Sequence, residues 1–76
     1  MLVFDIPIHP PQNTWTISLP TGASYAFDDR HEAVRFAARE ATRLASHKGN
    51  QVYLSIEGED GKWRLFGPDL KAPKPT

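Results

Sequence analysis

The side chains that could carry out chemistry are few and scattered in this chain of 76 residues. Three histidines, His9, His31 and His47, fall in a proline-rich stretch and at the two ends of a predicted helix. A histidine metal site needs ligands at close helical spacing such as i and i+4, and His31 and His47 are too far apart for that. Cysteine is absent, which excludes thiolate ligands. The sequence therefore predicts no metal site and no cofactor.

Catalysis would require a base within reach of a nucleophile inside a pocket. The carboxylates are instead placed where local structure explains them. Glu57, Glu59 and Asp60 surround a predicted hairpin tip, and Asp29 and Glu32 have the spacing of a helix-capping box. We therefore expect no catalytic residue and no enzymatic activity.

Phe36 is the first candidate for a binding residue. On a helical wheel it falls nearly opposite the small residues around Ala41, so a helix lying on a sheet would leave it in water. Its neighbours on that side are charged: Glu32, Arg39, Glu40 and Arg43. An aromatic ring within a charged rim is typical of an interface anchor. The alternative is that Phe36 folds over the sheet edge or under the proline-rich loop.

Arginine and aromatic residues offer a second candidate surface. Arg35, Arg39 and Arg43 repeat every four residues, which could follow a phosphate backbone or could simply form a solvated helix face. Tyr53, Arg64 and Phe66 are expected on the sheet face away from the helix, where aromatics can stack on nucleic-acid bases. Cross-strand packing of Tyr53 on Phe66 is the simpler reading. The candidate nucleic-acid residues are Tyr53, Arg64, Phe66 and Arg35.

One segment has helical period, Asp29–His47. Its apolar residues gather on one arc when placed at roughly 100° per residue: Val34, Ala37, Ala38, Ala41, Leu44 and Ala45. Asp29 is predicted to cap the helix by accepting from the Glu32 amide, and Gly49 is placed to end it. The pattern predicts an amphipathic helix that lies on a sheet.

The rest of the chain reads as short strands separated by turns. Alternating apolar residues predict strands at Leu2–Ile8, Thr14–Leu19, Ala23–Phe27 and Gln51–Glu57, with turns at His9–Asn13 and Pro20–Gly22. Pro7 marks the first strand as an edge candidate.

A final hairpin is predicted with Asp60-Gly61 as a two-residue type I′ loop. In that register Glu57 faces Arg64 and Ile56 faces Leu65. Trp63 and Leu65 then share the face of Leu54, while Arg64 and Phe66 share that of Tyr53.

These elements predict a two-layer α+β domain. Their order is β-β-β-α-β-β, with an antiparallel sheet of four to five strands and the helix packed across one face. Residues 1–67 would form this domain, and residues 68–76 a disordered tail rich in proline and lysine. The predicted core comprises Phe4, Ile6, Trp15 or Ile17, Phe27, Val34, Ala37, Ala41, Leu44, Val52, Leu54, Ile56 and Leu65.

Composition narrows the classes of partner. Nine basic and nine acidic residues cancel, so no global field attracts nucleic acid or an anionic membrane. The N-terminal apolar run is interrupted by Asp5 and Pro7 and predicts neither a signal peptide nor a membrane span. A small chain without cysteine suits the cytoplasm.

In order and spacing, the motifs resemble a family of short uncharacterised bacterial proteins classed as a domain of unknown function. The matching residues are His9-Pro10, Trp15-Thr16-Ile17, Glu32-Ala33 with Ala38-Arg39, and Gly58-Glu59-Asp60-Gly61. The resemblance covers roughly residues 3–66. It implies this fold and a bacterial origin, but it does not indicate an activity.

Taken together, the sequence predicts a non-catalytic protein-interaction module. The expected partner is another protein or a second copy in a weak homodimer, and the alternative is a nucleic-acid-binding module.

Overall fold

The computed structural model describes residues 2–46 and 51–71 of the chain. It confirms the small α+β fold, with one helix and five strands among these residues. In chain order the elements are β1 (Leu2–Ile6), a 3-10 turn (Pro11–Asn13), β2 (Trp15–Ser18), β3 (Ser24–Phe27), α1 (Arg30–Ala45), β4 (Val52–Glu57) and β5 (Trp63–Phe66).

The strands form two sheets, so the predicted single antiparallel sheet is wrong. One sheet has the order β1-β4-β5 and the other is the β2-β3 hairpin. β1 runs parallel to β4, with Phe4 opposite Leu54 and Ile6 opposite Ile56. Alternation along a strand fixes which residues share a face, but it carries no information on the direction of the neighbour. β1 is an edge strand, as Pro7 predicts.

α1 begins where the sequence places its cap. The Asp29 carboxylate accepts a hydrogen bond from the His31 amide at 2.9 Å, rather than from that of Glu32. Helical geometry ends at Ala45, and Ser46 is the C-cap. The predicted end at His47 and the predicted Gly49 cap lie outside the described residues.

Alanines bring α1 close to the three-stranded sheet. Ala33, Ala37 and Ala41 are completely buried, one turn apart on a single line of the helix. Val34 and Leu44, predicted as core positions, are only half-buried on either side of this line. The buried arc of the helix is therefore centred closer to Ala33 than predicted, and the helix contacts the sheet through its smallest residues.

The core lies between α1 and the inner faces of both sheets. Its buried residues outside the helix are Phe4, Ile6, Ile17, Val52 and Leu54. Ile17 is buried and Trp15 half-buried, which resolves the alternative between them. The Trp15 indole donates to the Pro7 carbonyl at 2.7 Å and ties β2 to the end of β1. Leu65 is 42% exposed, so its assignment to the core is wrong.

One turn geometry occurs three times. In each turn the first amide donates to the fifth carbonyl, and the fourth amide donates back to the first carbonyl. The fourth residue has positive φ: Gly22 (95°), Gly61 (79°) and Leu70 (64°). In each, the third residue's side chain accepts from the fifth amide, as Asp60 does from Lys62 at 3.0 Å. This is a three-residue hairpin loop with a left-handed residue at its end.

That turn shifts the register of the last hairpin by one residue. The loop is Glu59-Asp60-Gly61 instead of the predicted Asp60-Gly61, so Ile56 faces Arg64 and Glu57 faces Trp63. A one-residue shift moves every side chain of a strand to the other face. Arg64 and Phe66 therefore share the helix-side face, and Trp63 and Leu65 point away from the helix.

The third turn lies in the predicted disordered tail. Gly67 donates its amide to the Lys71 carbonyl at 2.8 Å, and Leu70 donates to the Gly67 carbonyl at 2.9 Å. Residues 68–71 thus take part in a hydrogen-bonded turn, while residues 72–76 lie outside the described part of the chain.

Candidate functional site

The face of the three-stranded sheet opposite α1 carries a group of exposed apolar side chains, which we call the open sheet face. Val3 lies opposite Tyr53 in the parallel pair, and Leu65 lies opposite Ser55 in the antiparallel pair. Val3, Leu65 and Trp63 are 39%, 42% and 48% exposed, and Tyr53 is half-buried. Because these residues share one parity on three adjacent strands, they form a continuous surface.

Carboxylates lie on the same face. Asp5 and Glu57 have the parity of the open sheet face, and Glu57 is directly opposite Trp63. One Glu57 oxygen accepts from the Ile8 amide at 3.0 Å. Within residues 2–46 and 51–71, neither carboxylate forms an ion pair with a lysine or arginine. The surface is therefore apolar with an acidic corner.

A second candidate lies between α1 and β3, where Phe36 is packed. The Phe36 ring lies 5.0 Å from that of Tyr25 and 5.1 Å from that of Phe27, measured between ring centres. Arg39 covers the third side, with its guanidinium carbon 5.8 Å from the Phe36 ring centre. Phe36 thus folds over the hairpin, which is the alternative that the sequence left open.

A shallow cleft of about 350 Å³, which we call the helix cleft, borders this aromatic cluster. It is lined by Phe27, Glu32, Arg35, Phe36 and Arg39. Neither Arg35 nor Arg39 has an ion-pair partner in the described part of the chain. The cleft joins an aromatic floor to two guanidinium groups without an ion-pair partner, of which that of Arg39 lies over the Phe36 ring, and this arrangement suits an anionic ligand.

The residues predicted as a protein interface are only partly brought together. Glu32, Phe36 and Arg39 line the cleft, whereas Arg43 pairs with Glu40 at 2.7 Å. Hydrogen bonding to Glu40 raises the pKa of Arg43 above its ordinary value. Glu40 and Arg43 therefore neutralise each other beside the cleft.

The residues predicted as a nucleic-acid surface are separated by the fold. Tyr53 lies on the open sheet face, and Arg64 and Phe66 lie on the helix side, so Tyr53 and Phe66 cannot pack as the predicted cross-strand pair. Arg35 lies in the helix cleft. The corrected register removes the predicted stacking surface.

Arg64 has a different role, at the tip of the last hairpin. It forms two hydrogen bonds with Asp60, at 2.8 and 3.2 Å. This contact lowers the pKa of Asp60 to about 2 and raises that of Arg64. The pair is fully exposed, so it fixes the turn more than it stabilises the fold.

The described histidines, His9 and His31, are both exposed, and His47 lies outside the described residues. Among residues 2–46 and 51–71, no three His, Asp or Glu side chains are grouped to hold a metal. The same residues include no helix with the length and hydropathy needed to cross a bilayer.

Comparison with known proteins gives no relative. No family model matches the chain, and no curated protein or solved structure shows significant similarity to it.

The sheet face away from the helix was predicted as a candidate surface with Tyr53 on it, but one turn made the prediction wrong for β5: Trp63 and Leu65 lie on this face instead of Arg64 and Phe66. Val3, Trp63 and Leu65 become a single surface only in the observed register. The signal was present in the sequence: Gly58-Glu59-Asp60-Gly61-Lys62 has the same third and fifth residues as Gly67-Pro68-Asp69-Leu70-Lys71. A repeated Asp at the third position, two residues before a Lys, indicates a three-residue loop in both places.

Proposed function

We propose that the protein is a non-catalytic protein-interaction module that binds its partner on the open sheet face, and that it works in the cytoplasm. The observation that carries the proposal is the exposure of Val3 on one side of the half-buried Tyr53 and of Leu65 and Trp63 on the other, on a sheet face that α1 leaves uncovered. An exposed tryptophan with other apolar side chains around it is typical of the centre of a protein interface, where aromatic residues are enriched. Each of these side chains is already more than half-buried, so covering the rest of it supplies about half of the roughly 1.5–3 kcal/mol that full burial gives.

Quantitative co-purification from the source cells tests this proposal. Trp63→Ser should release proteins that the unmodified chain retains. Tyr25→Ser is a matched control, because Tyr25 is an aromatic of similar exposure (46%) on the β2-β3 hairpin. Partners retained by the Trp63 variant, or lost equally from both folded variants, would contradict the open sheet face as the binding surface.

Self-association through the helix cleft is a further form of the proposal. Glu32 and Arg39 carry opposite charges beside Phe36, so a two-fold contact could pair them across the axis. Sedimentation velocity over a wide concentration range measures it. Arg39→Ala should weaken the dimer, with Arg64→Ala as the control. Phe36→Glu is unsuitable here, because Phe36 is part of the monomer's own packing.

Binding of single-stranded nucleic acid is the second candidate function, and the helix cleft is the observation that favours it. Tyr25 offers a ring that is 46% exposed beside Phe36, and Arg35 and Arg39 offer guanidinium groups without an ion-pair partner in the described residues. Titration with single-stranded oligonucleotides should show affinity that falls steeply with salt. Loss of affinity in Arg35→Ala and retention in Arg64→Ala would support this function. Salt-independent binding, or none, would exclude it.

A further inference from the structure

The charge of the open sheet face limits what can bind there. Asp5 and Glu57 point to this face. A Cβ placed at Gly67, the next residue of the same parity on β5, would lie 3.1 Å from Asp69 Oδ1, so Asp69 borders the face as well. No lysine or arginine of the described strands has this parity, since Arg64 points to the helix side. Lys71 borders the face too, because its carbonyl oxygen lies 3.7 Å from the same Cβ position. Among the described residues, three carboxylates therefore face one lysine, so two copies placed face to face would repel each other, which favours a different, cationic partner.

The size of the face limits the partner to a short segment. Three strands about 4.8 Å apart and about five residues long cover roughly 14 by 17 Å, or roughly 240 Å². A stable contact between folded proteins buries roughly 800 Å² on each partner. A folded domain would therefore find too little surface on this face alone.

The shape of the face favours one conformation of that segment. β4 is paired on both sides, so an added strand cannot hydrogen-bond to the centre of the sheet. The apolar side chains run diagonally across the sheet from Tyr53 through Leu65 to Trp63. A polyproline II segment docks against aromatic side chains such as Tyr53 and Trp63, and it is ordered before it binds, so it loses less entropy than a segment that must first fold into a helix. Proline rings also pack well on exposed tryptophan and tyrosine.

We propose that the open sheet face binds a proline-rich segment of another protein that carries lysine or arginine. The prolines pack along Tyr53, Leu65 and Trp63, and the cationic side chains lie against Asp5 and Glu57. This inference rests on the proposed function and adds the chemistry of the partner.

Titration of the full-length chain with synthetic peptides tests the inference, with backbone amide and Trp indole shifts read by NMR. The three peptides are a repeat of Pro-Pro-Lys, its Pro-Pro-Glu counterpart and a flexible Gly-Ser-Lys repeat. We expect the first to shift Val3, Tyr53, Leu65 and the Trp63 indole. The other two should bind at least roughly tenfold more weakly. Equal binding of the Lys and Glu peptides, or shifts confined to the helix cleft, would overturn the inference.

Conservative variants separate the two features of the face. Asp5→Asn and Glu57→Gln should each weaken the Pro-Pro-Lys peptide by up to roughly fivefold, the effect expected for an exposed ion pair. Gln keeps an oxygen that can accept from the Ile8 amide. Trp63→Ser should abolish binding, and Tyr25→Ser should not change it. Unchanged affinity in all three face variants would contradict the site.

Two further outcomes distinguish a wrong partner chemistry from a wrong binding surface. If Trp63→Ser releases the cellular partner but no peptide binds, the proposed function stands and the inferred partner chemistry is wrong. If the peptide binds only after residues 72–76 are removed, their Pro and Lys residues compete for the face, and a segment of this chain replaces the external partner.

Discussion

At the residue scale, neighbours decide the role of a side chain whose helical position alone suggests exposure. Phe36 lies away from the line of buried alanines on α1. The β2-β3 hairpin nevertheless lies beside the helix, and the Phe36 ring packs against the rings of Tyr25 and Phe27. Asp60 likewise could be one more solvated turn residue, but Arg64 on the adjoining strand holds it with two hydrogen bonds.

Replacing Phe36 tests its packing. Phe36→Ala should lower the free energy of unfolding by about 2 kcal/mol, roughly half the cost of removing a fully buried phenylalanine, because the ring is only half-buried. Tyr25→Ala should cost less, since Tyr25 is 46% exposed. Urea unfolding measures both. A Phe36 variant as stable as the unmodified chain would mean that the ring is a surface anchor.

Titration of Asp60 tests its pair with Arg64. Arg64→Gln should raise the Asp60 pKa from about 2 toward the ordinary value of about 3.9, because the charged hydrogen bond is lost. Since the folded pKa is depressed, the pair's contribution to stability is complete above about pH 4 and is lost as the pH falls toward 2. NMR of the side-chain carboxyl carbon follows the titration. Arg39→Gln is the control, and an equal shift there would exclude the pair as the cause.

At the element scale, one turn controls which faces the strands present. The loops after β2, β4 and β5 share one hydrogen-bond pattern, and each needs a left-handed residue in its fourth position. Glycine takes that conformation without strain, whereas Leu70 (φ 64°) does so at a cost of roughly 1–2 kcal/mol. The turns therefore set the register of the last hairpin through backbone geometry, and the charge pairs adapt to it.

Exchanging the fourth residues tests this control. Leu70→Gly should stabilise the fold by roughly 0.5–1 kcal/mol, the relief of strain less the extra entropy of glycine in the unfolded chain. Gly61→Leu should destabilise it by about 1 kcal/mol, although no atom lies within 4 Å of the added Cβ. Thermal or urea unfolding gives both values. A change of the same sign in both variants would show that the turns are not equivalent.

At the scale of the whole molecule, a single helix covers one face of a thin protein. The Cα extents are 35 × 29 × 16 Å, so the shortest dimension accommodates only two layers. A chain of this size has a core that supplies only roughly 3–5 kcal/mol. The buried side chains of the helix and the strands all lie between α1 and the inner sheet faces, so the outer face is left without a covering layer.

Serine substitutions on the two faces of β5 test this arrangement. Leu65→Ser should change the free energy of unfolding by less than about 1 kcal/mol, because the side chain is already 42% exposed. Phe66→Ser should cost about 2 kcal/mol or more, since Phe66 packs against the core. If Leu65→Ser lowered the free energy of unfolding in urea more than Phe66→Ser did, the result would support the predicted two-residue loop and its register instead.

The sequence by itself determined the local features of this protein. The Asp29 cap, the helical period of α1, the alternation in β2 and β4 and the positive φ of Gly22 all depend on residues a few positions apart. Such short-range preferences act within the segment, so they can be read without knowing what surrounds it.

Only the tertiary structure decided how those segments meet. The parallel pairing of β1 with β4 and the hairpin resting beside Phe36 join residues far apart in the chain, and no periodicity encodes such contacts. The open sheet face depends on both effects: a three-residue loop turned Trp63 and Leu65 outward, and the pairing of β1 with β4 brought Val3 beside Tyr53. Because side chains alternate between the two faces of a strand, a one-residue change of register places Trp63 and Leu65 on the face opposite to the predicted one. The candidate site exists only in the observed register.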